Sequence, residues 1–394
     1  MGMNSGKKKV MILGSTGSIG ANTLDVIRHQ GDRFEVIALA CARNAGALGR
    51  QIREFSPQAA ALTGSPEAPE ELQGLRAARP FSLYRGEDGL LRMIEEVEAD
   101  IVVNGISGSK GLLPSLKALE EGKSLANANK ESIVMAGPLI MEAARKNKVP
   151  LIPVDSEHYA IFSLLRKIEP TAVEEVILTA SGGAFRDLPY EQWQNVSRED
   201  ALTHPNWEMG PKNTIDSATM ANKGLEFIET HYLFGIDVSR IKVVIHPQSY
   251  VHSLVRTVDG FLYAQISRPD MRMVIQNALS YPQLYPASFG STDLLGRELT
   301  FAPVDRRKYR MLDLAREAAR MGGAYPVVYN AANETALESF LNGRILFVEI
   351  PAFVEEILQA AWDLPVNTVE EILHLDRMSR GKAQDILTGK RKAV

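Results

Sequence analysis

The chain has little of what would mark a secreted, membrane or nucleic-acid-binding protein. Its 394 residues include one cysteine, Cys41, which excludes an internal disulfide framework and a cluster of thiolate metal ligands. No apolar run approaches the roughly 18 residues that a spanning helix needs, and the basic run at residues 7–9 precedes an apolar stretch too short for a signal peptide. The 44 Lys and Arg against 48 Asp and Glu disfavour a nucleic-acid partner. We therefore expect a cytoplasmic protein with neither a nucleic-acid nor a membrane partner.

The pattern of apolar residues divides the chain into regions. Up to residue 155, short apolar runs alternate with amphipathic stretches, which is typical of a doubly wound parallel sheet. Farther on, a Val-Asp-Gly turn joins two alternating runs and predicts an antiparallel hairpin. A stretch with scattered Pro and Gly follows, and amphipathic helices then continue to the end. The predicted architecture is α/β, with a Rossmann-like N-terminal domain at 1–155, a central α+β domain at 156–290, a linker at 291–311 and a C-terminal helical domain at 312–394.

Individual elements follow from the same patterns. The predicted strands are 10–13, 35–40, 100–103, 124–126, 150–154, 174–179, 241–245, 251–256 and 261–266. The predicted helices are 88–98, 132–146, 216–233, 312–320, 327–341, 352–364 and 369–387. Gly343 is placed to stop a helix and Thr368 to cap the start of one.

A glycine-rich loop, GSTGSIG at 14–20, directly follows the first strand and opens a helix. Glycines in this position allow a tight turn, and a helix N-terminus favours the pyrophosphate of a dinucleotide. The spacing is GxxGxxG rather than GxGxxG, so a turn without a ligand is the alternative. At the end of the second strand, residues 41–44 contain Arg43 and no acid, which favours NADPH over NADH. A solvated surface charge is the alternative for Arg43.

Acidic residues suggest a metal site. The sequence VDSEH sets Asp155 and Glu157 two residues apart after a strand, so on an extended segment both carboxylates project to one side. Such a pair suits Mg²⁺ or Mn²⁺. In the alternative interpretation, Glu157 is a first-turn acid of a helix that begins near His158.

A second cluster, DSATMANKGLE at 216–226, is interpreted as the start of a long helix that continues to residue 233. Asn222, Lys223 and Glu226 share one face of that helix, which suits a site for both an anion and a cation. A surface ion pair between Lys223 and Glu226 is the alternative.

Two loops complete the candidate site. The loop ASGGAF at 180–185 offers a hydroxyl from Ser181 and open backbone donors for a phosphate, although it could be a plain turn. The segment THPNWEMGPK at 203–212 is punctuated by Pro and Gly and fits a closing lid. Trp207 in this lid could instead pack on its own domain.

Taken in order, several motifs resemble one family over nearly the whole chain, the 1-deoxy-D-xylulose 5-phosphate reductoisomerases. The motifs are GSTGSIG, ANKES, PVDSEH, LTASGGAF, HPNW, DSATMANKGLE, HPQS and NAANE. The resemblance implies an NADPH domain, a central catalytic and dimerising domain, a linker and a helical domain. It also implies a homodimer that rearranges a sugar phosphate and reduces it with NADPH and Mg²⁺ or Mn²⁺, with Co²⁺ as a further candidate. No plastid transit segment is recognised, so we do not expect the plant form.

The resemblance also implies roles for individual residues. The metal ligands would be Asp155, Glu157 and Glu226, which with Lys130 form the catalytic set. The substrate contacts would be Ser156, Glu157, Ser181, His204, Ser217, Asn222, Lys223 and Glu226. The NADPH contacts would be Thr16, Gly17, Ser18, Ile19, Ala42, Arg43, Asn44, Asn129, Glu131 and Gly210. Trp207 and Met209 match lid residues, and Ala42 stands where the family often has Gly.

Two other functions fit part of this pattern. An NADPH-dependent sugar-phosphate dehydrogenase would perform no rearrangement, and only a reductoisomerase yields a branched carbon chain. A redox-sensing regulator would bind NADPH and a partner without turnover, so steady oxidation of NADPH on adding the deoxyketose phosphate would exclude it.

Overall fold

The structure is a computed structural model that describes residues 6–64, 70–207 and 209–392. These residues form two compact units. Unit 1 contains the described residues up to 129 together with 140–159 and 270–291, and unit 2 contains 130–139, 160–269 and the described residues from 292 onward. Glu208 of the predicted lid, and the outermost residues of the predicted terminal domains, lie outside the described residues.

The strands form one sheet in each unit. They are β1 (Lys8–Leu13), β2 (Phe34–Cys41), β3 (Ala59–Leu62), β4 (Ser82–Arg85), β5 (Ile101–Asn104), β6 (Ser124–Asn127), β7 (Leu151–Pro153), β8 (Val173–Ala180), β9 (Ile241–Ile245), β10 (Val251–Thr257) and β11 (Leu262–Ile266).

The helices lie between and after these strands. They are α1 (Ser18–His29), α2 (Ala45–Phe55), α3 (Glu70–Ala78), α4 (Gly86–Glu96), α5 (Leu112–Glu120), α6 (Lys130–Asn147), α7 (Ser156–Leu165), α8 (Arg198–Ala201), α9 (Pro211–Thr219), α10 (Ala221–Phe234), α11 (Met271–Ser280), α12 (Arg310–Met321), α13 (Tyr325–Leu341), α14 (Ile350–Leu358) and α15 (Val369–Lys392). None of the described helices is long and apolar enough to cross a membrane.

The sheet of unit 1 has the order β4-β3-β2-β1-β5-β6-β7, and all of its recorded strand pairs are parallel. Val10, Met11, Ile12 and Leu13 on the central strand β1 are fully buried, as expected for a sheet covered on both faces. The Rossmann-like prediction is confirmed, and the five strands predicted in this region correspond to β1, β2, β5, β6 and β7.

Strands β3 and β4 were not predicted. β3 has the sequence AAAL and is buried throughout, so it shows no alternation of apolar and polar residues, and Ala is a weak strand former. β4 is a four-residue edge strand with the sequence SLYR. β3 pairs with β2 and β4, and β4 pairs with β3, so pairing specifies these strands more than their own residues do.

The sheet of unit 2 has the order β11-β10-β8-β9. β8 and β9 pair in parallel, while β10 is antiparallel to both of its neighbours. The predicted hairpin is confirmed, since the backbone N–H of Thr257 donates to the carbonyl of Phe261 across the Asp-Gly turn at 2.9 Å. The unit therefore combines an antiparallel hairpin with helices, as the α+β prediction requires.

The long helix predicted at 216–233 is wrong. The chain forms two helices, α9 and α10, which are separated at Met220 by a left-handed backbone conformation with φ of 60°. The Thr219 hydroxyl accepts a hydrogen bond from the backbone N–H of Ala221 and so satisfies a donor at the start of α10. Met220 is fully buried, and its packing compensates for a conformation that L-residues rarely adopt.

The C-terminal helices largely follow the prediction. Gly343 has a φ of 67° two residues after the end of α13, and the Thr368 hydroxyl accepts from the N–H of Glu371 at the start of α15. α14 ends at Leu358, whereas the pattern predicted a helix to residue 364. Pro365 disfavours a helical residue before it, and the Trp362 indole folds back to donate to the carbonyl of Ile357.

Gly20 provides a test of the packing beneath the glycine-rich loop. A Cβ at this position would lie 2.4 Å from both the carbonyl oxygen of Gly14 and the Cα of Ser15, which are backbone atoms that can move little. We expect Gly20→Ala to lower the free energy of unfolding by about 1–3 kcal/mol, measured by urea denaturation. The matched change Gly74→Ala in α3 meets no atom within 4 Å and should be neutral or stabilise by about 0.5–1 kcal/mol. Equal effects of the two changes would contradict this account.

Candidate active site

The glycine-rich loop lies at the carboxyl end of β1, between β2 and β5, where the strand order of the sheet reverses. Gly14 has a φ of 78°, and the backbone N–H of Gly17 donates to its carbonyl oxygen at 3.0 Å. α1 then begins at Ser18 without a side-chain cap, so its first N–H groups point toward the loop. This turn contains four consecutive residues that the family resemblance assigns to the cofactor, Thr16, Gly17, Ser18 and Ile19. Such a helix N-terminus at a topological switch point suits a pyrophosphate.

The end of β2 carries the second group of predicted cofactor residues. Ala42 and Arg43 are exposed, and Asn44 caps α2 by accepting from the N–H of Ala47 at 3.0 Å. The stem of Arg43 passes close over Gly64, where a Cβ would lie 2.9 Å from the arginine Cγ. A cationic, acid-free strand end fits a 2′-phosphate.

Asn129 is fully buried in unit 1, and its side chain donates hydrogen bonds to the loop after β5. Its amide nitrogen donates to the carbonyl oxygens of Ile106 and Gly108, each at 2.8 Å. The side chain predicted to contact the cofactor therefore also shapes the loop at the carboxyl end of a neighbouring strand.

Asp155 and Glu157 do not lie together on an extended segment, so the prediction of that backbone geometry is wrong. The chain turns into α7 at Ser156, which makes Glu157 a first-turn acid, as the alternative interpretation held. One oxygen of Asp155, Oδ1, accepts from the N–H groups of Glu157 and His158 at 3.1 and 3.3 Å, and the Ser156 hydroxyl donates to the Glu157 carboxylate. The helix N-terminus thus brings two carboxylates and a hydroxyl together within unit 1.

Glu226 is 1% exposed and lies in unit 2 among nitrogen donors. The Lys130 ammonium donates to Oε1 of Glu226 at 2.9 Å and to the side-chain amide oxygen of Asn222, Oδ1, at 2.8 Å. The Asn222 amide and the Lys223 ammonium donate to the same carboxylate. The predicted shared face of Asn222, Lys223 and Glu226 is confirmed. Two ammonium groups therefore contact this one buried carboxylate.

His204 joins the two serines that the sequence predicted as phosphate contacts. Its Nε2 lies 3.1 Å from the hydroxyl oxygens of both Ser181 and Ser217. Its Nδ1 accepts from the backbone N–H groups of Asn206 and Trp207 at 3.1 and 3.0 Å. Because Nδ1 is an acceptor, the neutral ring carries its proton on Nε2. Burial lowers the pKa of His204 to about 4.

Two consecutive glycines shape the loop after β8. Gly182 and Gly183 both have positive φ values, 85° and 66°, and the backbone N–H of Gly183 donates to the Ser181 hydroxyl at 3.1 Å. A Cβ at Gly183 would lie 2.5 Å from the carbonyl oxygen of Ser217, so glycine lets this loop approach the end of α9. The Tyr309 hydroxyl donates to the Gly182 carbonyl and holds the loop from the helical region.

The predicted lid segment is anchored within unit 2. The Asn206 amide donates to the Pro247 carbonyl at 2.6 Å and to the Ser249 hydroxyl at 2.8 Å, which attaches the lid to the HPQS turn. The Trp207 ring lies 6.3 Å from the ring of His252, so this aromatic residue has a neighbour in its own unit. Met209 and Gly210 then lead into α9. Asn206 belongs to the HPNW motif, yet the sequence analysis assigned it no role.

Glu131 lies in unit 2 on the first turn of α6 and pairs with Lys212 on α9 at 2.7 Å. Lys212 also pairs with Asp216 one turn along α9 at 2.8 Å. Burial raises the pKa of Glu131, but the Lys212 ammonium outweighs burial and leaves the pKa below its ordinary value. The sequence analysis missed both Lys212 and Asp216, although their opposite charges four residues apart were a usable signal.

The predicted site residues divide between the units. Unit 1 holds Thr16, Gly17, Ser18, Ile19, Ala42, Arg43, Asn44, Asn129, Asp155, Ser156 and Glu157. Unit 2 holds Lys130, Glu131, Ser181, His204, Trp207, Met209, Gly210, Ser217, Asn222, Lys223 and Glu226. The dinucleotide features therefore concentrate in one unit and the anion-binding features in the other.

Sequence comparison links the chain to one family. The family model of 1-deoxy-D-xylulose 5-phosphate reductoisomerase matches residues 10–137, and models of its C-terminal domains match 151–234 and 266–382. A relative from Shouchella clausii with this name is 47% identical over 380 residues, covering 96% of this chain and 100% of its own. One from Thermosynechococcus vestitus is 44% identical over 384 residues, covering 96% and 93%.

Solved structures agree with the sequence comparison. A crystal structure of DOX-P reductoisomerase in complex with NADPH, fosmidomycin and magnesium has a TM-score of 0.90 at 37% identity, covering 97% of this chain and 98% of that one. The reductoisomerase from Zymomonas mobilis in complex with NADPH has the same TM-score and identity, covering 97% and 99%.

The environment of His204 predicts how its ring titrates. We expect the imidazole to remain neutral across the range from pH 5 to 8 and to titrate at about pH 4, measured by NMR and assigned with His204→Gln. The ordinary value is 6.5. The native state therefore binds this proton less tightly than the unfolded chain, and the contribution of His204 to stability is complete above pH 6.5 and is lost as the pH falls toward 4. Titration of the free protein's His204 between pH 6 and 7 would contradict this environment.

Proposed function

The chain belongs to the 1-deoxy-D-xylulose 5-phosphate reductoisomerase family, and we propose that Asp155, Glu157 and Glu226 hold the metal ion on which its reaction depends. The enzyme rearranges 1-deoxy-D-xylulose 5-phosphate and reduces it to 2-C-methyl-D-erythritol 4-phosphate in the non-mevalonate isoprenoid pathway, using NADPH and a divalent metal. Besides the family match, the observation that supports the metal assignment is the pair of carboxylates at the start of α7, where the N–H groups of Glu157 and His158 orient Asp155 next to Glu157.

The donor chemistry fits the proposed metal ligands. Asp155, Glu157 and Glu226 offer carboxylate oxygens, which hard divalent cations such as Mg²⁺ and Mn²⁺ prefer. Within unit 1, the start of α7 orients Asp155 through backbone N–H groups, so its carboxylate needs little reorganisation. When bound, the metal ion stabilises the negative charge that develops on substrate oxygen during the rearrangement, and NADPH supplies the hydride for the reduction.

The dinucleotide features of unit 1 fit NADPH. The uncapped N-terminus of α1 suits the pyrophosphate, and Arg43 at the acid-free end of β2 suits the 2′-phosphate. We assign the cofactor contacts to Thr16, Gly17, Ser18, Ile19, Ala42, Arg43, Asn44, Asn129, Glu131 and Gly210.

The anion-binding features of unit 2 fit the substrate phosphate. We assign this phosphate to Ser181, Ser217, Asn222 and Lys223, with His204 between the two serines. Binding of the phosphate, which is remote from the reacting carbons of the substrate, supplies binding energy that orients those carbons. Lys130 and Ser156 are the proposed contacts to the substrate hydroxyls, and Lys130 can hold or donate a proton there because it is an ammonium ion beside Glu226.

The segment that carries Trp207 and Met209 is the proposed lid. His204 in this segment contacts Ser181 and Ser217, which are proposed contacts of the phosphate. Closure of such a segment would exclude water while the rearranged aldehyde awaits reduction.

The domain division predicted from the sequence is retained as part of this proposal, with residues 1–155 binding NADPH, 156–290 carrying catalysis and dimerisation, 291–311 as a linker and 312–394 as the helical domain. We further propose a cytoplasmic homodimer. β11 is an edge strand of the unit 2 sheet, and next to it Val258 and Phe261 are 68% and 65% exposed. An exposed apolar edge is suited to a two-fold partner.

Glu226→Gln tests the metal assignment, because it keeps the size of the side chain but removes a charged ligand. We expect kcat to fall by more than the roughly 10–100-fold that is typical of losing an outer partner of a ligand. NADPH affinity, measured by fluorescence titration, should remain nearly unchanged, because Glu226 is not among the proposed cofactor contacts. Turnover is followed by NADPH absorbance, and the branched product is identified by NMR.

The same substitution at an exposed position, Glu338→Gln on α13, is the matched control and should leave both kcat and the affinity for NADPH unchanged. A chelator should stop NADPH oxidation by the wild-type enzyme, and Mg²⁺ or Mn²⁺ should restore it. Glu226→Gln with wild-type turnover, or with equal losses of turnover and NADPH binding, would count against the assignment.

Phe261→Lys tests the proposed dimer surface, since a charge beside an edge strand opposes pairing of two edges. We expect the wild-type protein to show twice the mass of one chain by light scattering at micromolar concentration, and the variant to shift toward one chain. Leu284→Lys replaces a residue of unit 1 that is 74% exposed and should leave the mass unchanged. A wild-type monomer would refute the proposal.

A further inference from the structure

Lys212 lies at the second position of α9 and is surrounded by acids. Its ammonium lies 2.7 Å from the Glu131 carboxylate on α6 and 2.8 Å from the Asp216 carboxylate on α9. Burial lowers the pKa of Lys212, but Asp216, Glu131 and Glu334 outweigh burial and raise the pKa above its ordinary value. The side chain is therefore a permanent cation that bridges two helices of unit 2.

The ion pair between Lys212 and Glu131 holds the first turn of α6. Lys130 and Glu131 are consecutive residues there, and they contact different helices. Lys130 reaches Asn222 and Glu226 on α10, while Glu131 reaches Lys212 on α9. Fixing Glu131 therefore fixes the backbone from which the Lys130 side chain extends.

The bridge also acts on α9 itself. Asp216, which is fully buried, precedes Ser217, whose hydroxyl lies 3.1 Å from His204. The other oxygen of Asp216 accepts from the buried Asn333 amide at 2.8 Å. Lys212 and Asn333 thus hold Asp216 from two sides, next to a residue proposed to contact the phosphate.

The NAANE motif links this arrangement to the C-terminal helices. Asn333 and its neighbour Glu334 lie on α13, and Arg380 on α15 pairs with Glu334 at 2.6 Å and with Asp376 at 2.8 Å. Adjacent residues of α13 therefore contact two other helices, with Asn333 bound to Asp216 on α9 and Glu334 paired with Arg380 on α15. Neither the metal nor the phosphate assignment explains why Asp216 and Asn333 are fully buried.

We propose that Lys212 is a positioning residue for the reaction: by bridging Glu131 and Asp216 it holds Lys130 and Ser217 in place. This inference rests on the proposed function, since it takes Lys130 and Ser217 to be substrate contacts. It assigns Lys212 no contact with the substrate or NADPH. Lys212 acts through the orientation of neighbours, so its loss lowers kcat because Lys130 is misplaced.

A double-mutant cycle between Lys212→Met and Lys130→Met tests the inference. Each single substitution should lower kcat/KM, by up to about 100-fold for a small misplacement of a reacting group. If Lys212 acts through Lys130, the two losses overlap, and Lys130→Met should cost far less in the Lys212→Met background than in the wild type. Lys212→Arg keeps the charge and should recover part of the activity. A purely structural role would give multiplying losses, because destabilisation does not depend on Lys130.

A control variant and a fallback variant complete the test. Arg145→Met removes the cation of an exposed ion pair on the same helix, α6, and should change neither kcat/KM nor the cost of Lys130→Met. If Lys212→Met does not accumulate as folded protein by circular dichroism, Lys212→Arg carries the cycle in its place. Losses that multiply, or wild-type kcat/KM in both Lys212 variants, would overturn the inference. Wild-type activity of Lys130→Met alone would instead contradict the proposed function.

Discussion

The compensation of buried charge organises unit 2. Glu226 is almost completely buried, and a carboxylate in such a position is stable only with cations or N–H donors against it. Lys130, Asn222 and Lys223 meet that requirement from α6 and α10. The same groups are proposed contacts of the substrate and, in Glu226, of the metal ion, so one set of side chains would meet both the requirement of the fold and that of the reaction.

The break between α9 and α10 determines what those charges can reach. With a left-handed residue at Met220, α9 presents Lys212 and α10 presents Asn222 and Glu226 to the same first turn of α6. A single continuous helix could not direct residues ten positions apart toward two consecutive residues of one neighbour. The backbone conformation of one buried residue is thus linked to the placement of Lys130.

Much of the fold was predictable because the spacing of apolar residues along the sequence indicates which faces of a helix or strand are buried. The parallel sheet, the Asp-Gly hairpin and the C-terminal helices followed from it, and the shared face of Asn222, Lys223 and Glu226 followed from helical spacing. Strand β3 was not predictable in this way, since a run of Ala residues is buried by its neighbours and shows no pattern of its own. The start of α7 at Ser156 was open to two interpretations, because an acid near a strand end also suits the first turn of a helix.

The order of the motifs in the sequence by itself determined the family and the chemistry. Long motifs that contain glycines, acids and lysines occur together in one chain only where one reaction needs all of them. Tertiary structure alone decided which charged and polar groups pair between helices. Local spacing pairs Lys212 with Asp216, but it cannot pair Lys212 with Glu131, 81 residues earlier, or Asp216 with Asn333, 117 residues later. Those contacts depend on how helices distant in the chain pack, and packing is a property of the whole chain.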